Sequence, residues 1–252
     1  MELYFYVIVF IAGLSLGSFF NVVIFRFGTG RSVVKGRSRC LNCSSVIRWF
    51  DLIPVVGYFV LGGKCRYCKH GISPLYPIVE IATATALLLL FLNTPAISYL
   101  TLINALIVLL LTLTIFIDTR YLIIPDKVLI LLAITAVGSK FLADNANFYH
   151  LLISAFGLTS FFAILFLVSN GKWIGLGDIK LIFLIGFLLG YPMGYLAIVA
   201  AVWLAAIFSI ILLASGKAGA KTEIPFGSFL SVSTIIFITF DNEFQEISKY
   251  FY

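Results

Sequence analysis

Eight apolar runs separated by short polar joints decide most of what this chain can become. They lie at 1–25, 77–92, 97–117, 128–142, 150–168, 179–189, 195–214 and 226–240. A run of about 20 apolar residues crosses the hydrocarbon core of a bilayer as an α-helix. Where water is absent, the helix satisfies every backbone N–H and C=O within its own segment. Hydrophobic residues make up 62% of the 252 positions and charged residues 11%, less than half the charged share of about 25% in a soluble domain. The pattern therefore predicts an all-α polytopic membrane protein with about eight transmembrane helices. The first run lacks the basic start and small-residue cleavage site of a secretory signal, so it reads as a retained membrane helix. Asn21 within that run would be unwelcome toward lipid and is expected to face other helices.

The run 179–189 is short and stops at Gly190-Tyr191-Pro192-Met193-Gly194, a Gly/Pro turn signal. Read as one helix, 179–214 would reach roughly 54 Å at about 1.5 Å per residue, far beyond a core of about 30 Å. A hairpin is expected instead. Charge supports it, because short cytoplasmic loops accumulate Lys and Arg. Alternating eight spans from an outside N-terminus puts Arg26, Arg31, Lys35, Arg37, Arg39, Arg48, Lys64, Arg66 and Lys69 inside. Arg120, Lys127, Lys172, Lys180, Lys217 and Lys221 join them, leaving Lys140 and Lys249 outside. The net charge of +6 thus orients the chain, and no nucleic-acid partner is expected. The expected division is a first span at 1–25, a polar loop domain at 26–76, a seven-helix core at 77–240 and a short solvated tail at 241–252.

All four cysteines fall in the polar loop, as Cys40-Leu41-Asn42-Cys43 and Cys65-Arg66-Tyr67-Cys68. Two Cys-x-x-Cys knuckles can deliver four thiolates to one tetrahedral ion, the spacing of a structural zinc ribbon. The loop's cytoplasmic placement favours reduced thiols over two disulfides. Four thiolates leave no open coordination position, so the zinc would hold together a loop of about fifty residues with too little apolar content to fold alone. His70 beside the second knuckle is read as a surface residue.

Two carboxylates abut apolar runs. Asp118 ends the third run, and Asp178 opens the sixth within Gly175-Leu176-Gly177-Asp178-Ile179-Lys180. Alternation brings both to one membrane face. Two carboxylates sharing a low-dielectric site do not both ionise easily and share a proton. One then takes a proton from water while the other gives one to the carbonyl under attack, which is peptide hydrolysis by an aspartyl dyad. Helix capping with solvent contact is the alternative reading of the same spacing. Gly175 and Gly177 would give a peptide backbone room to approach. Lys180 could steady the dyad's charge or mark the membrane edge. Asp126 is expected to cap the helix that begins near Val128. Glu80, the acid most clearly inside an apolar run, is expected to pair with a nearby Lys or Arg or with the dyad.

With these motifs in order, the chain resembles the bacterial type IV prepilin peptidases, membrane aspartyl proteases marked by Gly-x-Gly-Asp. The resemblance runs through Gly17-Ser18-Phe19-Phe20-Asn21-Val22-Val23-Ile24, the two knuckles, and Ile72-Ser73-Pro74-Leu75-Tyr76-Pro77-Ile78-Val79-Glu80. It continues through Asp118 with Ile124-Pro125-Asp126, the Gly175–Leu181 stretch, and Ile224-Pro225-Phe226-Gly227-Ser228-Phe229-Leu230. It implies an eight-span enzyme of the bacterial inner membrane with Asp118 and Asp178 as its catalytic pair. The implied substrates are type IV prepilins or pseudopilins, whose basic leader is cut from an apolar helix at the cytoplasmic face. It also implies N-methylation of the new N-terminus with S-adenosylmethionine, with Gly63 and Lys64 as the cofactor region. Two positions depart from the family pattern: Leu41 follows the first cysteine where proline is frequent, and Ser228 also stands where proline is common. Rival readings are a proton-coupled transporter, which would want its acids near the bilayer midplane, and a non-enzymatic scaffold built on the zinc loop.

Overall fold

The computed structural model describes residues 2–241 apart from 31, 35, 95–96, 144–146, 217–218 and 220–221. Arg31, Lys35, Lys217, Lys221, Lys249 and the expected tail from 242 onward lie outside the described residues. The described helices are α1 (Glu2–Arg26), a one-turn α2 (Val56–Val60), α3 (Leu75–Leu92), α4 (Tyr99–Tyr121), α5 (Asp126–Leu142), α6 (Phe148–Ser169), α7 (Leu176–Leu189), α8 (Met193–Ala214) and α9 (Phe226–Thr239). No β-strand occurs among the described residues; two isolated bridges, Arg39 with Val46 and Lys64 with Gly71, fasten the cysteine knuckles.

Each of the eight apolar runs is a helix, and five of these, α1, α3, α4, α6 and α8, are long and apolar enough to cross a membrane. The other three, α5, α7 and α9, have 17, 14 and 14 residues, short of the roughly 20 of a full crossing. By length and composition alone, five of the eight expected spans qualify as crossings. One of the short three is screened by protein: in α7, Leu181 and Ile182 are fully buried and Ile185 is 1% exposed. A helix wrapped by other helices need not match the bilayer thickness. The break after it is real. α7 ends at Leu189, Gly190 takes φ +69°, and α8 starts at Met193.

The chain divides into two compact units, Met1–Leu92 and Asn93–Tyr252. In the first, α1 packs on α3 through two glycines one turn apart. A Cβ on Gly13 would lie 2.5 Å from Ala84 Cα, and one on Gly17 would lie 2.6 Å from Glu80 Cα. In lipid, where hydrophobicity does not drive helices together, small residues four apart let backbones meet closely. One turn on, Asn21 is buried at 2% exposure and its Nδ2 donates to the Tyr76 carbonyl at 3.0 Å. It faces a helix, as its cost in lipid requires.

In the second unit, α4 packs on α5 and α9, α7 on α5, α6, α8 and α9, and α8 on α9. α4 begins with a reciprocal cap in which Ser98 Oγ accepts from Thr101 N–H at 3.1 Å and Thr101 Oγ1 accepts from Ser98 N–H at 3.3 Å. Ser233 Oγ donates to the Ala197 carbonyl at 2.6 Å and ties α9 to α8.

Gly17→Leu is expected to force α1 off α3 and lower stability by roughly 1–3 kcal/mol, the cost of overpacking a closed contact. Thermal unfolding of the purified protein in detergent measures this; an unchanged Tm would contradict the packing.

Candidate active site

Asp118 lies in the last turn of α4 and is 4% exposed. The helix stops just beyond it because Leu122 turns into the left-handed region at φ 54° and returns its N–H to the Asp118 carbonyl at 2.8 Å. Pro125 then precedes α5. The Asp118 carboxylate meets the start of α9. Its Oδ2 accepts the Ser228 backbone N–H at 2.7 Å and the Ser228 hydroxyl at 3.0 Å. Ser228 is the third residue of α9, and its N–H, which also lies 3.2 Å from the Pro225 carbonyl, stands at the electropositive end of the helix. Ser228 Oγ also lies 3.0 Å from the Ile115 carbonyl and 3.0 Å from Thr119 Oγ1.

Asp178 occupies the third position of α7. Its Oδ2 turns back to accept the Gly175 N–H at 3.3 Å. Its other oxygen faces Asp118 across Gly227. A Cβ built on Gly227 would lie 3.1 Å from Asp118 Oδ2 and 3.1 Å from Asp178 Oδ1. The two oxygens therefore lie no farther apart than twice that distance. A side chain at 227 would crowd both carboxylates, so glycine is what lets the two acids face each other there. Ile124 closes the apolar side, with its Cδ1 2.6 Å from the same point, and Gly177 packs on Ile124, where a Cβ would come within 3.1 Å. Gly175 leaves space for the returning carboxylate, since a Cβ there would sit 3.3 Å from Asp178 Oδ2.

The other expected acids and bases are occupied elsewhere. Lys180 Nζ pairs with Asp126 Oδ1 at 2.6 Å, both side chains being exposed, so it does not reach the dyad. Asp126 does not cap α5: Pro125 takes the N-cap place without a side-chain bond, and the Asp126 carboxylate turns to Lys180. Glu80, 6% exposed, has neither Lys nor Arg as partner. Its Oε2 accepts the Val55 N–H at 2.7 Å, and its Oε1 faces Asn21 Nδ2 at 3.5 Å. Neutral donors suffice here because hydrogen bonds can satisfy a buried carboxyl group without a counter-charge. Gly227 and Ser228 carried no role in the sequence reading. Their available signal was a proline just before an apolar run followed by Gly-Ser, which is a helix start with free donors and no side chain in the way.

In the loop, the four Sγ atoms lie within 4.8 Å of one another, with Cys40 to Cys68 at 3.8 Å and Cys43 to Cys65 at 4.0 Å. A disulfide would need about 2.05 Å; four sulfurs around zinc at about 2.3 Å stand about 3.8 Å apart. The donor set and spacing fit structural zinc. The two knuckles repeat one design. Cys40 N–H donates to the Ser45 carbonyl and Cys65 N–H to the His70 carbonyl, while Ser44 and Lys69 both take φ 57°. His70 thus contributes backbone and not a ligand to the cluster. Hydrogen bonding with the Ser45 hydroxyl, and then its backbone, pushes the Cys43 thiol down to about 6, toward the thiolate that binds metal. Gly63 and Lys64 serve the second knuckle: Gly63 accepts from Ile72 N–H at 2.7 Å, donates to the Tyr58 carbonyl at 3.0 Å, and packs against the Tyr58 ring.

Comparison with known proteins gives this geometry its context. A profile described as the bacterial peptidase A24 N-terminal domain matches residues 11–94, and one described as the type IV leader peptidase family matches residues 105–210. Relatives named prepilin leader peptidase/N-methyltransferase include one from Myxococcus xanthus, 33% identical over 87% of this chain and 67% of its own. Another from Klebsiella pneumoniae is 32% identical over 72% and 84%, and one from Bacillus subtilis is 29% identical over 91% and 92%. No solved structure matches the chain. Two family profiles in tandem, with relatives that align along most of both chains, establish that this chain belongs to the type IV leader peptidase family.

Proposed function

We propose that the chain is a membrane aspartyl endopeptidase that removes the basic leader of type IV prepilins or pseudopilins at the cytoplasmic face, with Asp118 and Asp178 as its catalytic pair. The single supporting observation is the convergence of both carboxylates on Gly227. Both stand at helix ends, in the last turn of α4 and the first turn of α7, at odds with the mid-membrane acids of a transporter. An eight-crossing topology, with α5, α7 and α9 as short spans, puts that face on the side of the basic loops.

Asp118, held in place by Ser228 at the start of α9, is assigned the base, and Asp178 the acid that holds the shared proton. Water held between the two carboxylates gives its proton to Asp118 as its oxygen attacks the scissile carbonyl carbon, and Asp178 protonates the carbonyl oxygen. The tetrahedral intermediate collapses when the proton on Asp118 passes to the leaving amide nitrogen, the C–N bond breaks and Asp178 recovers its proton. Gly175 and Gly177 leave the approach free for an extended peptide backbone, and Lys180 acts indirectly by tying α7 to α5 through Asp126.

The relatives' names include N-methyltransferase, and we extend that activity to this chain with S-adenosylmethionine as donor and the matured prepilin N-terminus as acceptor. Bound to the four cysteines, zinc would cross-link the loop and take no part in chemistry. Mass spectrometry of a processed substrate decides the second activity: a methylated amine is expected, and an unmodified one despite supplied donor would count against it.

Asp118→Asn and Asp178→Asn are each expected to abolish leader cleavage in co-expression with a prepilin while the protein still accumulates. Wild-type processing by either would refute the pair. Gly227→Ala should do the same, because its methyl group would stand 3.1 Å from an oxygen of each carboxylate and 2.6 Å from Ile124 Cδ1, forcing the pair apart. Ser228→Ala, which keeps the backbone donor, is expected to lower kcat by roughly ten-fold to a hundred-fold, the loss of one hydrogen bond to a charged group; an unchanged kcat would remove the Ser228 hydroxyl from the site.

The purified protein is expected to hold about one zinc per chain. Its removal should expose the loop to protease while α4–α9 stay intact. A metal-free preparation with an unchanged digestion pattern would exclude the structural role.

A further inference from the structure

The loop between α1 and α3 carries an apolar face that its own fold does not use. Trp49 is 77% exposed, Val56 53%, Phe59 67% and Val60 73%, with Leu52 also open. Val56, Phe59 and Val60 follow i, i+3 and i+4 on α2, and Trp49 and Leu52 belong to the 3-10 turn Trp49–Leu52 that packs against it. The opposite side of α2 is committed inward, with Gly57 buried and Tyr58 packed on Gly63. Large exposed apolar side chains gathered on one face mark an interaction surface.

Three observations select the occupant. The loop is tethered at both ends, since α1 ends at Arg26 and α3 begins at Leu75, both helices being apolar enough to cross a membrane. Next, the stripe is latched at a defined height. Val55 N–H donates to Glu80 Oε2 at 2.7 Å, and Glu80 lies five residues into α3, about 8 Å along the helix axis, which is the depth of a headgroup layer. Finally, the surrounding charge has one sign. The loop segment 26–76 holds nine Lys and Arg and a single acid, Asp51, whose carboxylate is taken by Arg66 at 2.6 and 3.0 Å and held below the usual range by that hydrogen bond. Arg48 and Arg66 stand over the Phe50 ring, 5.8 and 5.3 Å from its centroid, beside the stripe. An apolar stripe with Trp at its edge and a basic rim is the composition of a segment lying in an anionic membrane surface.

We infer that the cysteine-bearing loop seats the face formed by Trp49, Leu52, Val56, Phe59 and Val60 in the headgroup region of an anionic bilayer, with the Glu80 to Val55 hydrogen bond setting its depth. The loop is then a membrane-surface element and not a domain hanging free in solution. This does not depend on the proteolytic reading. It concerns the Met1–Leu92 unit alone.

The test uses the zinc-loaded full chain with Trp173→Phe and Trp203→Phe, so that Trp49 is the sole indole. The protein is reconstituted into phosphatidylcholine vesicles with and without phosphatidylglycerol, using lipids brominated near the top of the acyl chains. Trp49 emission is expected to be blue-shifted, quenched at least twofold by the bromolipid and shielded from acrylamide, more strongly in the phosphatidylglycerol vesicles. Phe59→Ser with Val60→Ser should reverse most of the quenching while zinc content stays unchanged. Water-like emission open to acrylamide overturns the inference. So does quenching protection that appears only when a prepilin peptide is added, which would make the stripe a peptide site. Equal quenching with and without phosphatidylglycerol overturns the anionic preference.

Discussion

A carboxylate buried among apolar helices must be hydrogen-bonded, paired or neutralised, and the Asn93–Tyr252 unit is built around how Asp118 meets that demand. The first turn of α9 supplies the N–H of Ser228, with its hydroxyl beside it. To bring those donors to Asp118, α9 must pack on α4, and that packing carries Gly227 to the point where Asp178 also arrives. The same hydrogen bonds that make the burial tolerable therefore fix the distance between the two acids. Satisfying Asp118 and assembling the dyad are one structural event.

The Met1–Leu92 unit solves a similar problem differently. Glu80 is buried against α1, close to Gly17 and Asn21, and draws its short donor from Val55 in the loop. Val55 adopts φ 62° to offer that N–H, a conformation a β-branched residue rarely takes, so the surrounding fold must hold it there. The metal cluster and the carboxylate thus constrain the loop at separate places. Four thiolates tie its two knuckles together, and one hydrogen bond ties the segment between them to the membrane helix.

How much of this was legible from the residues varies with the range of the interaction. Helix positions follow from local periodicity, so all eight apolar runs became helices and the break at Gly190 to Pro192 fell where turn chemistry put it. The four cysteines were legible because two knuckles repeat one short design and nothing distant is needed to recognise it. Span count was not, because whether a 14-residue helix must match a bilayer depends on what surrounds it, and α7 is surrounded by protein. The pair of Lys180 with Asp126 was not legible for the same reason: Asp126 was read as the cap of its own helix and Lys180 as a partner of the dyad or a mark of the membrane edge, yet they lie 54 residues apart and pair with each other. Glu80 was expected to pair with a nearby Lys or Arg or with the dyad, because the sequence lists charges but not the backbone N–H groups that can also hold a carboxyl group.

The sequence by itself determined that this chain enters a membrane as helices, that its cysteines can share one ion, and that two aspartates stand at helix boundaries. These are properties of composition and short spacing, set by bilayer thickness, backbone hydrogen bonding and ligand geometry. Only the tertiary structure decided that Asp118 and Asp178 flank Gly227, that Ser228 holds one of them, and that Glu80 latches the loop. Each of those contacts joins elements 25 to 110 residues apart, and no local pattern specifies which distant helix end will carry the free donor that a buried carboxylate requires.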